Sequence, residues 1–169
     1  MTSPHDAARQ RVRRTRTQRF EAFSDGVFAI AITLLVLDLA VPFTAASRAN
    51  LLREVAHQWP EYLGYLISFA TIGAIWLGHN AVSDYLERAD TTLLRINLLL
   101  LLFVSFLPFP TRLLSGFIRE GHAERVAVTF YGLTLLAAAG VLAVLWRYAR
   151  SAGLVQPDAE DHELTLLTQ

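Results

Sequence analysis

The sequence contains no cysteine, and its fifteen basic residues are all arginine. The first absence excludes disulfides and thiolate metal sites. No functional conclusion follows from the second. The formal net charge is zero, but the charges are segregated along the chain, so the balance says little about partners. Neither a Gly-x-Ser-x-Gly elbow nor an HExxH metal motif occurs. Ser24, Asp25 and His79 raise the question of a catalytic triad. Adjacent residues on a helix diverge by about 100°, however, so His79 cannot easily bridge Ser24 and Asp25. No enzyme activity is expected.

What the chain has is apolar residues, 53% of its 169, with a positive mean hydropathy. They come in long blocks instead of at amphipathic spacing, which is the membrane signature. The blocks are residues 20–41, 62–82, 93–114 and 126–146. A bilayer core of about 30 Å needs about 20 helical residues, and each block meets that. The expected fold is all-α, a polytopic membrane protein with four transmembrane helices. An arginine-rich arm over 1–18 precedes a four-helix domain over 19–150, and a polar tail follows over 151–169. The first block is longer than a signal-peptide core and contains Asp25 and Asp38, so cleavage is not expected.

Arginines set the expected orientation. The arm holds Arg9, Arg11, Arg13, Arg14, Arg16 and Arg19, and Arg88, Arg95, Arg147 and Arg150 share its side. That makes ten against five on the other side, which places both termini in the cytoplasm. Beside a spanning helix, such an arm reads as a topology signal that touches anionic lipid and not as a nucleic-acid site. Trp59-Pro60-Glu61 should start the second helix, Asp90 should cap the third, and Pro108-Phe109-Pro110 should kink or end it. Gly132, Ala139, Gly140 and Ala143 would let a neighbour pack closely on the fourth.

Polar groups inside the spans are the candidate functional residues. On a helical projection of the first helix, Gly26, Ile30, Thr33, Leu37 and Val41 fall in one stripe about 80° wide. Asp25 lies about 120° from its middle, and Ser24 and Asp38 also point away. Partners for Asp25 are sought on the second helix at Trp76, His79 and Asn80, and on the third at Arg95 and Asn97. A cluster of Asp25, His79 and Arg95 tying three helices together is expected, with Asp25–His79 as the lock; Asn97 is expected to make a single hydrogen bond. Asp38 either concentrates cations at the outer mouth or bonds a neighbouring helix, the second being preferred. If several subunits place Ile30, Thr33 and Leu37 around an axis, apolar rings flank a hydroxyl ring. Apolar constrictions gate by dewetting, and hydroxyl oxygens replace part of a cation's water shell. The alternative is that Thr33 merely bonds its own helix carbonyl.

Arg19-x-x-x-Phe23-Ser24-Asp25 followed by GVFAIAITLLVLDL resembles the RxxxFSD opening of the transmembrane protein 175 potassium channels. The resemblance runs on through YLGYLISFATIGAIWLGHN, INLLLLLFVSFLPFPT and LWRYAR. It implies a homotetramer in a prokaryotic cell membrane whose first helices line a K⁺ pore at Ile30, Thr33 and Leu37. It also implies that the signature residues Arg19, Phe23, Ser24 and Asp25, with Trp76 and His79, are structural and the signature buried. No cofactor or metal beyond permeating K⁺ is implied, and no TVGYG filter. Prokaryotic members typically have six helices; this chain has four, and 151–169 reads as the linker toward a fifth. Rival readings are a non-conducting membrane scaffold or degenerate family member, and a proton-coupled carrier using Asp25 and His79.

Overall fold

The structure, a computed structural model, describes residues 4–39, 51–117 and 121–156, and within them every side chain except those of 4–16, Asp38 and Glu54. The elements in order are α1 (Pro4–Leu34), a 3₁₀ turn (Leu35–Asp38), α2 (Leu51–His57), α3 (Trp59–Asp84), α4 (Thr91–Phe106), α5 (Pro108–Phe117) and α6 (His122–Ser151). Four stretches are long and apolar enough to cross a bilayer: Thr17–Leu37, Trp59–Asp84, Thr91–Phe117 and His122–Ser151. The chain is an all-α membrane protein, with four candidate spanning helices among the described residues. The arm is no separate element, since α1 runs unbroken from Pro4 into the first span. Val41 and the end of the first block lie outside the described residues, as does 157–169.

Local chemistry explains the boundaries. Pro60 occupies the first turn of α3, where its missing N–H has no partner to lose, and Glu61 sits near the positive helix end. Asp90 caps α4, its Oδ1 accepting from the Leu93 N–H at 2.7 Å. The third span breaks at Leu107, because Pro108 and Pro110 remove two backbone donors. Leu107 N instead donates to Val104 O at 3.2 Å, and α5 resumes with Thr111 N on Leu107 O at 3.2 Å.

α1 packs on α3 and α4, while α6 packs on α4, α5 and α3. One apolar core gathers Phe28, Ala31, Leu35, Ile72, Leu100, Val104, Leu107 and Ala138. A second, at the arm end, holds Phe20, Val82, Leu86, Leu93, Leu145, Ala149 and Leu154. Lipid is as apolar as leucine, so van der Waals fit and inter-helix hydrogen bonds hold such a bundle together. The kinked third span is held to α3 this way, with Ser68 Oγ 2.6 Å from Thr111 Oγ1, and α6 is held to α3 by Tyr131 OH donating to Thr71 Oγ1 at 3.3 Å.

The expected close packing on the fourth helix is not where the structure puts it. A Cβ at Gly132 or Gly140 would meet nothing within 4 Å. Ala139 and Ala143 line an open apolar groove of about 690 Å³ between α3 and α6. The close approach is on α3 instead, where a Cβ at Gly78 would lie 3.0 Å from Leu142 Cδ2. At the arm end, Glu87 N donates to Leu154 O at 2.9 Å and Gln156 N to Tyr85 O at 3.0 Å. These bonds tie the start of the 151–169 tail to the α3–α4 connection.

Candidate functional site

Two faces of α1 divide the labour. Thr17, Phe20, Ser24, Phe28, Ala31 and Leu35 recur every three or four residues and are all buried in the bundle. The opposite face is left open by the protomer's own core. Ile30 is 60% exposed and Leu37 71%, and Thr33 and Gly26 are exposed between and beside them. Leu37 belongs to the 3₁₀ turn and not to the α-helix, yet it stays on this face. The Thr33 hydroxyl donates to Ile30 O at 2.9 Å. Because that bond consumes its proton, the oxygen presents only lone pairs to whatever covers the face.

The buried face carries a chain of polar contacts through three helices. Ser24 Oγ donates to Phe20 O at 2.9 Å, within its own helix. Asn97 Nδ2 on α4 donates to Ser24 Oγ at 2.9 Å, and Asn97 Oδ1 lies 2.9 Å from His79 Nε2 on α3. Since Ser24 has spent its proton on Phe20, Asn97 must turn its amide nitrogen toward it. The amide oxygen then faces His79, which requires the imidazole proton on Nε2. Phe20 stacks on the His79 ring with centroids 5.4 Å apart, and Phe28 lies at 5.6 Å. His79 Nδ1 is buried with no hydrogen-bond partner, as suits a ring walled by phenylalanines.

The expected Asp25–His79 pair is therefore replaced by two separate contacts. Asp25 is exposed and its Oδ1 accepts from Trp76 Nε1 at 2.9 Å. Asn97, itself donating to Ser24, supplies the bond to His79 instead. Asn97, expected to make one bond, makes two and joins α1, α3 and α4. Arg95 is exposed and does not enter the cluster. It lies two residues from Asn97, about 200° around the helix, so both cannot face α1. Within the single protomer Ser24 is fully buried, whereas Phe23 is 56% exposed, and Arg19 and Asp25 are exposed. Phe23 and Arg19 lie outside the buried face of α1, whereas Asp25 reaches Trp76 at the edge of the α1–α3 contact. The side chain of Asp38 lies outside the described residues.

Asn97 was within reach of sequence reasoning. An amide at a buried helical position, four residues after Leu93 and three before Leu100 on the apolar face of α4, must find partners inside the protein. Among the described residues, no group of three or more His, Cys, Asp or Glu side chains is placed to hold a metal ion.

Comparison with known proteins agrees with this architecture. The family described as endosomal/lysosomal potassium channel TMEM175 matches residues 19–108. A potassium channel of Streptomyces collinus is 44% identical over 135 residues, covering 80% of this chain and 65% of the relative. This chain thus spans slightly less than two thirds of that relative's length. A potassium channel of Chamaesiphon minutus is 41% identical over 157 residues, covering 92% of this chain and 77% of the relative. The endosomal/lysosomal proton channel TMEM175 of Homo sapiens is 36% identical over 121 residues, which is 24% of that protein. The crystal structure of a lysosomal potassium-selective channel TMEM175 homolog from Chamaesiphon minutus superposes with a TM-score of 0.79 at 39% identity. It covers 91% of this chain and 78% of that one. With the family match extending over more than half of its residues and the four-helix fold shared, the chain belongs to the TMEM175 family, whose members are ion channels and not enzymes.

Proposed function

We propose that the chain forms a potassium-selective channel as a homo-oligomer, a tetramer, with α1 of each subunit on the axis. The observation that carries this reading is the open face of α1. Ile30, Thr33 and Leu37 are turned out of a bundle that buries the other side of the same helix. Around an axis, Ile30 and Leu37 make apolar constrictions that hold back ions by dewetting. Thr33 sets a ring of hydroxyl oxygens between them, lone pairs inward because each proton is bonded to Ile30 O. K⁺ sheds water more readily than Na⁺, so a narrow neck with few oxygen ligands favours K⁺ with no carboxylate in the path. Asn97, Ser24 and His79, with Asp25 and Trp76, position α1 and do not touch the ion. The chain sits in the cell membrane of a prokaryote with its arginine-rich arm and its tail in the cytoplasm, as the ten-to-five arginine distribution supports.

Purified protein in liposomes, with K⁺ and Na⁺ fluxes compared, tests this. Ile30→Ser and Leu37→Ser should raise flux, and Thr33→Val should lower the preference for K⁺. Absent flux, or flux indifferent to all three changes, sinks the pore and favours a scaffold. Saturable uptake driven by a pH gradient points instead to a carrier.

A further inference from the structure

The open face of α1 extends beyond the three pore candidates. Phe23, Ile30 and Leu37 are spaced seven apart, and they are 56%, 60% and 71% exposed. Arg19, Gly26 and Thr33, each four or three residues from them, are exposed as well. Together they make a heptad pattern along α1 and into its 3₁₀ turn, with large apolar side chains alternating with Arg19, Gly26 and Thr33. A seven-residue repeat keeps one seam facing a common axis when helices tilt around it. Phe23 is also the aromatic of this segment that the protomer does not use. Phe20 and Phe28 are 4% and 1% exposed and pack on His79, whereas Phe23 is left outside that packing. Between Phe23 and Ile30, Gly26 contributes no side chain, and a Cβ built there meets nothing within 4 Å.

We propose that Phe23 forms a third apolar ring of the permeation path, an inner gate about 10 Å along the helix from Ile30, with a wider chamber between them at Gly26. This rests on the axial placement of α1 proposed above. A ring of four phenylalanines at the arm end dewets the entrance as Ile30 and Leu37 do deeper in. The side chain is then part of the ion path and not part of the inter-helix fastening that buries Ser24.

The absence of cysteine makes the test direct. Phe23→Cys supplies the sole thiol, and K⁺ current is recorded before and after a positively charged, membrane-impermeant methanethiosulfonate is added on the arm side. The adduct should reduce the current by at least about tenfold, a barrier of about 1.4 kcal/mol. Phe23→Ala should raise the current, and Phe23→Leu should leave it near that of the parent. Two results overturn the inference: an unchanged current after modification confirmed by mass, or equal currents for the parent, Phe23→Leu and Phe23→Ala. If Ile30→Ser and Leu37→Ser alter flux in the same preparations, only the Phe23 gate falls. If they do not, the axial placement of α1 falls with it. A Phe23→Cys protein that carries no current is judged by the alanine and leucine variants.

Discussion

Replacing Asn97 with leucine is expected to destabilise the bundle more than any other single change in the buried polar chain. Leucine fills a similar volume, so the loss is chemical and not a cavity. Two inter-helix bonds at 2.9 Å disappear. In membrane proteins such bonds contribute on average about 0.6 kcal/mol each and at most about 1.7. The His79 Nε2–H then faces an alkyl group in a site where His79 is fully buried. Moving the proton to Nδ1 gives no relief, because Nδ1 has no partner either. An unpaired buried donor costs about 1–3 kcal/mol, and that figure overlaps the bond loss, so about 2–3 kcal/mol is expected in total. Ser24→Ala leaves the His79 bond intact and should cost about 1 kcal/mol. The assay is denaturant unfolding in mixed micelles, followed by loss of helicity, with a double-mutant cycle through His79→Leu. Removing both partners should restore part of the loss, giving a coupling of at least about 0.6 kcal/mol. Asn97→Leu within about 0.5 kcal/mol of the parent, or a cycle with no coupling, would refute the assignment of this chain as the helix fastening.

Three smaller perturbations test other contacts. Trp76→Phe removes the bond to the exposed Asp25 and should cost about 0.6 kcal/mol in the same assay; a loss equal to that of Asn97→Leu would contradict the ranking. At Asp90, outside the spans, burial pushes the carboxyl up, but the Tyr148 hydroxyl at 2.6 Å and the Leu93 N–H outweigh it and hold it below its ordinary value. A folded-state value below the unfolded one gives stability that is present above the ordinary carboxylate range and lost as pH falls through the folded value. Asp90→Asn should therefore flatten the acid limb of the stability–pH curve, and a limb parallel to the parent's would count against the Tyr148 contact. At Gly78 the neighbour is the tip of a flexible leucine. Alanine there should shift stability by less than about 0.5 kcal/mol and valine by about 1–3 kcal/mol, read from thermal unfolding in detergent.

Much of the fold was legible in the residues themselves. The four spans follow from bilayer thickness and helical rise, quantities that do not depend on neighbours. The Asp90 cap and the break at Pro108 follow from groups on the backbone within a turn of them. The shared face of Ile30 and Thr33 is a matter of helical phase, so it too could be read from spacing, although α1 tightens to a 3₁₀ turn before Leu37.

Which polar residues meet was decided elsewhere. Asp25, Trp76, His79, Arg95 and Asn97 were all visible as candidates at similar depth, but a contact between helices depends on the rotation and offset of each about its own axis. A few tens of degrees separate Asp25 on His79 from Asp25 on Trp76, and local sequence does not set such angles. They come from the packing of Phe20 and Phe28 around the His79 ring, and of Leu142 against Gly78. The sequence alone thus determined which helices form and which residues share a face. Only the tertiary structure decided that Ser24, Asn97 and His79 fasten the bundle and that Phe23 stays outside it, because side-chain partners are settled by packing across the whole interface.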